Sequence, residues 1–355
     1  MAHAPGVTVS GYGERDDGGP VRLFTLVNRQ GLRARVTDFG ATLVSMETPD
    51  RDGVMADITQ GFDDLEGWKV NAPYFGATVG RCGNRIRDGR FTLDGREYRL
   101  PLNAVSGGVP CHLHGGEIGF HKRMWDARIA EGARVEFTRV SPDGEEGYPG
   151  NATVRVSYTL TDEDELIWEA TATTDAPTIV NVIQHAYWNL SGDLGSSVAS
   201  HRLTLRAERF LPTATTMIPT GEILSVRGTP MDFTEPALIG SRLDADYAPL
   251  RAAGGYDHSF LIHGEGLREA AVVEEPASGR VLTLLTDQPA VHFYGAHGLD
   301  GTVVGKGGVR CGKGTSFCLE TEIPPDAINQ PGFPSPVLRP GESYRHVMIH
   351  RFSVR

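Results

Sequence analysis

Residues Ala152–Leu160 read ATVRVSYTL. In an extended chain Val154, Val156, Tyr158 and Leu160 fall on one face, and Thr153, Arg155, Ser157 and Thr159 on the other. Successive side chains of a strand point to opposite sides, so this alternation predicts a strand with one face in a core and one in water. The same period runs through VRLFTLV (Val21–Val27), RARVTDF (Arg33–Phe39), ELIWEATATT (Glu165–Thr174), GRVLTLLTD (Gly279–Asp287) and YRHVMIHRF (Tyr344–Phe352). Turn-forming clusters, SPDGEEGYPGN (Ser141–Asn151) and TDED (Thr161–Asp164), separate the strands. Helical signals are short: TEPALIGSRL, with Thr234 as a cap and Pro236 in the first turn, and DDLEGW (Asp63–Trp68).

The 44 glycines and 22 prolines are spread along the 355 residues, which implies many turns and no linker. The pattern predicts an all-β fold, one large antiparallel β-sandwich spanning residues 1–355 as a single domain.

Composition excludes several function classes. The net charge is −11 and no dense Lys/Arg run occurs, so a nucleic-acid partner is not expected. No apolar run reaches membrane-spanning length, and the N-terminus has neither the basic nor the apolar region of an export signal. Cys82, Cys111, Cys311 and Cys318 form no CxxC pair and read as reduced, mostly buried thiols, hence a cytoplasmic protein. GGVRCGKG (Gly307–Gly314) imitates a phosphate loop, but Gly314 stands where Ser or Thr is needed, and a strand-like stretch follows instead of a helix.

PCHLHGGE (Pro110–Glu117) raises a metal reading. His112 and His114 alternate, so on a strand both rings would share a face, with Glu117 nearby, as in a cupin-like metal enzyme. The Gly115–Gly116 turn argues against Glu117 facing the same way. VIQHAYWNL (Val182–Leu190) places His185 beside Tyr187 and Trp188. A lone histidine in an apolar stretch is more often a satisfied core residue than a catalyst. Glu320, following Phe317, Cys318 and Leu319 at a strand end, would alone be read as surface charge. Asp257, His258 and Arg85 have equally ordinary explanations.

Together, however, the stretches VGRCGNRIRDGRF (Val79–Phe91), LHGGEIGFHKRMW, DGEEGYPG, QHAYWNL, GGYDHSFLI (Gly254–Ile262), FCLETEIPPDAINQPGFP (Phe317–Pro334) and LRPGESYRH (Leu338–His346) occur in one order over nearly the whole chain. In that order the sequence resembles the aldose 1-epimerase (galactose mutarotase) family. The resemblance implies a supersandwich fold and interconversion of the α and β anomers of free aldoses, with no cofactor and no metal. It implies Glu320 as general base, His185 as general acid, and His114 as a second pocket histidine. Asn84, Arg85 and Asp257 would hold sugar hydroxyls, and His292 stands where the family commonly has a sugar-contacting glutamine. The implied partner is a monosaccharide, an aldohexose or aldopentose, bound by a monomer or homodimer.

Those residue types suit the chemistry. Opening a hemiacetal removes a proton from the anomeric hydroxyl and adds one to the ring oxygen. A carboxylate (reference pKa ~4.3) and an imidazole (~6.5) can hold the two opposite states near neutrality. Departures from the family pattern bear on which sugar fits: His292, Glu322 in place of a usual glutamine, Gln184, and GGVPC before the histidines. Galactose preference does not follow from them. Two competing functions are a non-catalytic carbohydrate-binding sandwich, which needs no Glu320–His185 pair, and the metal enzyme, which needs His112 and His114 as ligands.

Overall fold

The computed structural model describes residues 5–355. Ala152–Leu160 is a strand, and Val154, Val156, Tyr158 and Leu160 are all buried. It pairs antiparallel with Arg134–Ser141 on one side and with Glu165–Thr174 on the other. These lie in a nine-stranded sheet, whose remaining central strands include Tyr344–Val354, Arg280–Thr286 and Arg268–Glu274. A five-stranded sheet is built from the N-terminal segment, Gly6–Glu14 to Met55–Asp57. A second five-stranded sheet runs in the order Leu224–Ser225, Arg209–Phe210, Asp257–Leu261, Ala290–Tyr294 and Cys318–Glu322.

One apolar cluster joins all three. Phe24 and Val36 reach it from the N-terminal sheet, Val156, Trp168, Leu284 and Met348 from the large sheet, and Phe260, Phe293 and Leu319 from the third. Burying a side chain of this size stabilises the fold by about 1.5–3 kcal/mol, so register is strongly specified: a one-residue slip would turn each apolar row outward. The result is the antiparallel β-sandwich that the alternation predicts.

Helices are few and short. Leu65–Val70 forms one, capped by the Asp64 carboxylate accepting from the Gly67 N–H at 3.2 Å, within the expected DDLEGW region. The expectation for TEPALIGSRL is corrected. Thr234 donates to Asp232 instead of capping a helix, Ala237–Leu238 pairs as an edge strand with Arg202–Leu205, and only Ile239–Arg242 makes a 3₁₀ turn. A second helix, Ala248–Ala253, begins with a proline in its first turn and ends at Gly254 in the left-handed region. All four cysteines are free and buried. Among the described residues no helix is long and apolar enough to cross a membrane.

Candidate active site

The strands Asp257–Leu261, Ala290–Tyr294 and Cys318–Glu322 position the site by alternation. His258, Phe260, Val291, Phe293, Leu319 and Thr321 face inward and are fully or almost fully buried. The intervening residues Asp257, Ser259, His292, Glu320 and Glu322 therefore share the opposite face. Antiparallel register sets Ser259 against His292, and His292 against Glu320, in one row across the sheet. This face is covered in its turn, and Asp257, His292 and Glu320 on it form the floor of a pocket of about 380 Å3.

The walls come from three other segments. His185 ends the short strand Ile183–His185 and reaches Glu320, with Nε2 3.4 Å from the carboxyl Oε2. The Tyr187 ring stacks on His185, centroids 5.1 Å apart and planes 13° from parallel, while its hydroxyl is tied to the Pro73 carbonyl. Trp188 is fully buried, packs against His350 and belongs to the core. His114 follows the strand Val109–Leu113 with φ of 49°, and Asn84 precedes the strand Arg85–Arg87 with φ of 56°. Such backbone is uncommon outside glycine and needs support from its surroundings. The two residues provide it for each other: the His114 N–H donates to the Asn84 carbonyl at 3.0 Å, and the Asn84 N–H donates to His114 Nδ1 at 3.2 Å. Gly115 is required beside them, because a Cβ there would collide with the Gly80 carbonyl. Since Nδ1 of His114 accepts, the neutral ring carries its proton on Nε2. Arg85 is held by its Nε donating to Ser106 Oγ at 3.0 Å.

Residues 22–351 match the family described as Aldose 1-epimerase. The chain is 45% identical to galactose mutarotase of Bos taurus over 337 residues, 95% of each chain. It is 37% identical to aldose 1-epimerase of Escherichia coli K12, covering 95% of this chain and 96% of that one. The crystal structure of galactose 1-epimerase from Lactobacillus acidophilus superposes with a TM-score of 0.85 at 28% identity, over 99% of both chains. The chain belongs to the aldose 1-epimerase family.

In this aldose 1-epimerase family member, Asn84, Arg85, His114, His185, Asp257, His292 and Glu320 all line one pocket. His112 does not. The strand ends at Leu113, and the left-handed turn at His114 breaks the alternation that would have put both rings on one face. The His112 ring is instead fixed between the Pro101 carbonyl at 2.8 Å and the Tyr148 hydroxyl at 2.7 Å. Glu117 is exposed, so the cupin-like trio of His112, His114 and Glu117 does not form. A different trio has the donors and the proximity to hold a metal ion: ligand atoms of His114, His185 and Glu320 lie within 4.8 Å of one another. Gln184 is buried beside His185 but does not line the pocket.

Electrostatics alter the expected proton placement. Burial pushes the Glu320 carboxyl up to about 8, with the nearby His292 charge opposing and Glu322 and Asp257 reinforcing the rise. Burial also pushes His185 down to about 3, and His114 well below the ordinary histidine range, with His185 adding to the effect. Reference values would leave glutamate ionised and the imidazole partly charged. Burial reverses the order, because both groups are favoured in their uncharged forms. At neutral pH the Glu320–His185 pair therefore holds one proton, resting on the carboxyl. His292 behaves oppositely. Burial alone would depress it, but hydrogen bonds and charge from Asp257 and Glu322 prevail and raise it to about 10. Asp257 is correspondingly held below the usual carboxylate range, the His292 contact overcoming its burial.

Sequence reasoning missed Tyr74, whose ring lies 4.7 Å from that of His114, and Ser259. It also missed the rim formed by Gly298, Leu299, Asp300, Thr302 and Val303. Ser259 carried a usable signal, two positions after Asp257 on the same strand face. Tyr74 sits in a turn with φ of 64° and carried none.

Proposed function

We propose that this pocket opens and recloses the hemiacetal ring of a free aldose, an aldohexose or aldopentose, interconverting its α and β anomers. The observation that carries the reading is the Glu320–His185 pair, two proton carriers 3.4 Å apart and almost fully buried. They lie in a pocket whose other polar groups, Asp257, Arg85 and Asn84, match sugar hydroxyls in donor and acceptor type. Aldose 1-epimerase activity is also what family membership carries.

Glu320 is the base and His185 the acid in this reading. The single proton of the pair moves from the carboxyl to His185 as the sugar's hydroxyls enter and solvate the carboxylate. Glu320 then takes the proton of the anomeric hydroxyl while His185 gives its proton to the ring oxygen, and the bond from C1 to that oxygen breaks. Rotation about C1–C2 presents the other aldehyde face. On closure His185 takes back the proton of the ring-forming hydroxyl and Glu320 returns its proton to the C1 oxygen, so no covalent intermediate is required. His114, with Nε2–H free, donates to a sugar oxygen beside His185. Asp257 accepts hydroxyl protons and Arg85 donates, fixing the ring during both half-reactions.

The four unpaired, buried thiols favour the cytoplasm as the place of action. Polarimetry on freshly dissolved single anomers of glucose, galactose, xylose and arabinose tests the function. Wild type should speed the approach to equilibrium for at least one sugar, and Glu320→Gln should leave only the spontaneous rate. Acceleration of none would refute the reading.

A further inference from the structure

The shortest contacts of the His292 ring bear on its charge. Nε2 lies 2.6 Å from Asp257 Oδ1, a carboxylate oxygen that only accepts, so Nε2 carries a proton. Nδ1 lies 2.9 Å from Ser259 Oγ. The Ser259 hydroxyl donates its one proton to Glu322 Oε1 at 2.6 Å, so its oxygen must accept from Nδ1. Nδ1 therefore carries a proton too. Glu322 Oε1 also faces Nδ1 at 3.5 Å, and the Asn84 amide donates to Glu322 Oε2 at 3.4 Å; the same amide nitrogen stands 3.4 Å from Nδ1, a longer contact than the 2.9 Å one to Ser259. Glu322 is fully buried. Around the imidazole stand Asp257, Glu322, Ser259 and Asn84, with Glu320 next to it across the sheet.

We propose that His292 is a doubly protonated imidazolium clamped between Asp257 and the Ser259–Glu322 arm, and that His292 and Glu322 act as one positioning unit for sugar binding and for the base. This inference rests on the sugar-isomerase reading for its kinetic consequences, but not for the charge state.

Two effects follow. With Oδ1 of Asp257 occupied, that carboxylate is fixed in rotation and presents Oδ2 to the sugar. Both ring nitrogens of His292 are used by the protein, so the ring reaches the sugar through Asp257 and has no N–H left to donate directly. The positive ring beside Glu320 also favours the carboxylate that serves as base. His292 and Glu322 together are neutral in sum. Removing the imidazolium alone leaves Glu322 and Asp257 as uncompensated buried carboxylates beside Glu320, a far worse state than removing both charges.

The test has two arms. Long-range 1H–15N spectra at pH 8 read the ring directly, with His292 assigned by the signal lost in His292→Gln or, should that variant not fold, by the signal displaced in Ser259→Ala. Both ring nitrogens should be protonated. One unprotonated, pyridine-like nitrogen overturns the proposal, whether or not the enzyme turns over sugar. In polarimetry His292→Gln should lower kcat and raise KM, cutting kcat/KM at least tenfold. His292→Gln/Glu322→Gln should exceed His292→Gln by at least tenfold, because the second substitution removes the uncompensated charge. A double variant no better than His292→Gln overturns the coupled unit. Absence of activity in wild type would sink the isomerase reading and leave the spectroscopic arm to judge the imidazolium.

Discussion

Changing the pH removes the shared proton without altering the protein. The Glu320–His185 pair takes up its second proton near 3 and loses its last near 8 in the empty pocket. Turnover needs one proton on the pair: with two there is no base, and with none there is no acid. The ratio kcat/KM follows groups of the free enzyme, so it should be level from pH 5.5 to 7 and fall on the alkaline side. The fraction retaining the proton is about one half at pH 8, about a tenth at pH 9 and about 3% at pH 9.5, one decade per unit beyond the midpoint. His292 remains charged over most of this window, since its own loss is centred near 10. The assay is polarimetry of a fresh α-anomer in buffers of matched ionic strength, with the spontaneous rate at each pH subtracted through a Glu320→Gln blank. A profile that climbs through pH 8, or stays level to 9.5, would refute the shared proton. A climb would mean instead that an already ionised Glu320 starts the reaction and that the acid lies elsewhere.

Other substitutions separate the roles. Glu320→Gln should abolish catalysed interconversion with unchanged circular dichroism, and His185→Asn should cost at least ~100-fold in rate, the low end for a positioned acid. Asp257→Ala should raise KM and lower kcat, and should also release His292 from its clamp, so its ring titration should move down toward the ordinary histidine range in NMR. His114→Ala should impair turnover, whereas His112→Ala should lower the melting temperature with little effect on kcat, because it strands the buried Tyr148 hydroxyl at about 1–3 kcal/mol. Exhaustive EDTA dialysis should leave the rate unchanged. A loss restored by zinc or manganese would instead assign His114, His185 and Glu320 to a metal. Val156→Asp should abolish folding, since it puts an unpaired carboxylate in the centre of the core.

The fold was legible because burial writes a two-residue period into each strand: ATVRVSYTL, ELIWEATATT and YRHVMIHRF occupy central places in the large sheet. Helix-like composition misled at TEPALIGSRL, where tertiary pairing with Arg202–Leu205 outweighs a local cap. Pro249 and Gly254 did mark the helix that was overlooked. Within the site, seven residues that line the pocket were legible from the ordered motifs. The register aligning Ser259, His292 and Glu320 was not, because it is set by pairings between residues 33 and 28 positions apart in the chain. The proton order of Glu320 and His185 was equally hidden, since it depends on how deeply the fold buries the pair and no residue type encodes that.

The pocket floor and the apolar core are two sides of the same three ribbons, and this constrains how the protein can diverge. A one-codon insertion or deletion within Ala290–Tyr294 would exchange the sides, presenting Val291 and Phe293 to the sugar and driving His292 into the apolar cluster. A two-codon change keeps the sides but slides the row by about 6–7 Å, out of reach of His185. Length variation is thus closed to the floor, where only substitution can act. It stays open at the rim between Gly298 and Val303, which touches the pocket and belongs to no strand. Lineages that change their preferred sugar should accordingly differ in length at that rim and in residue identity on the floor.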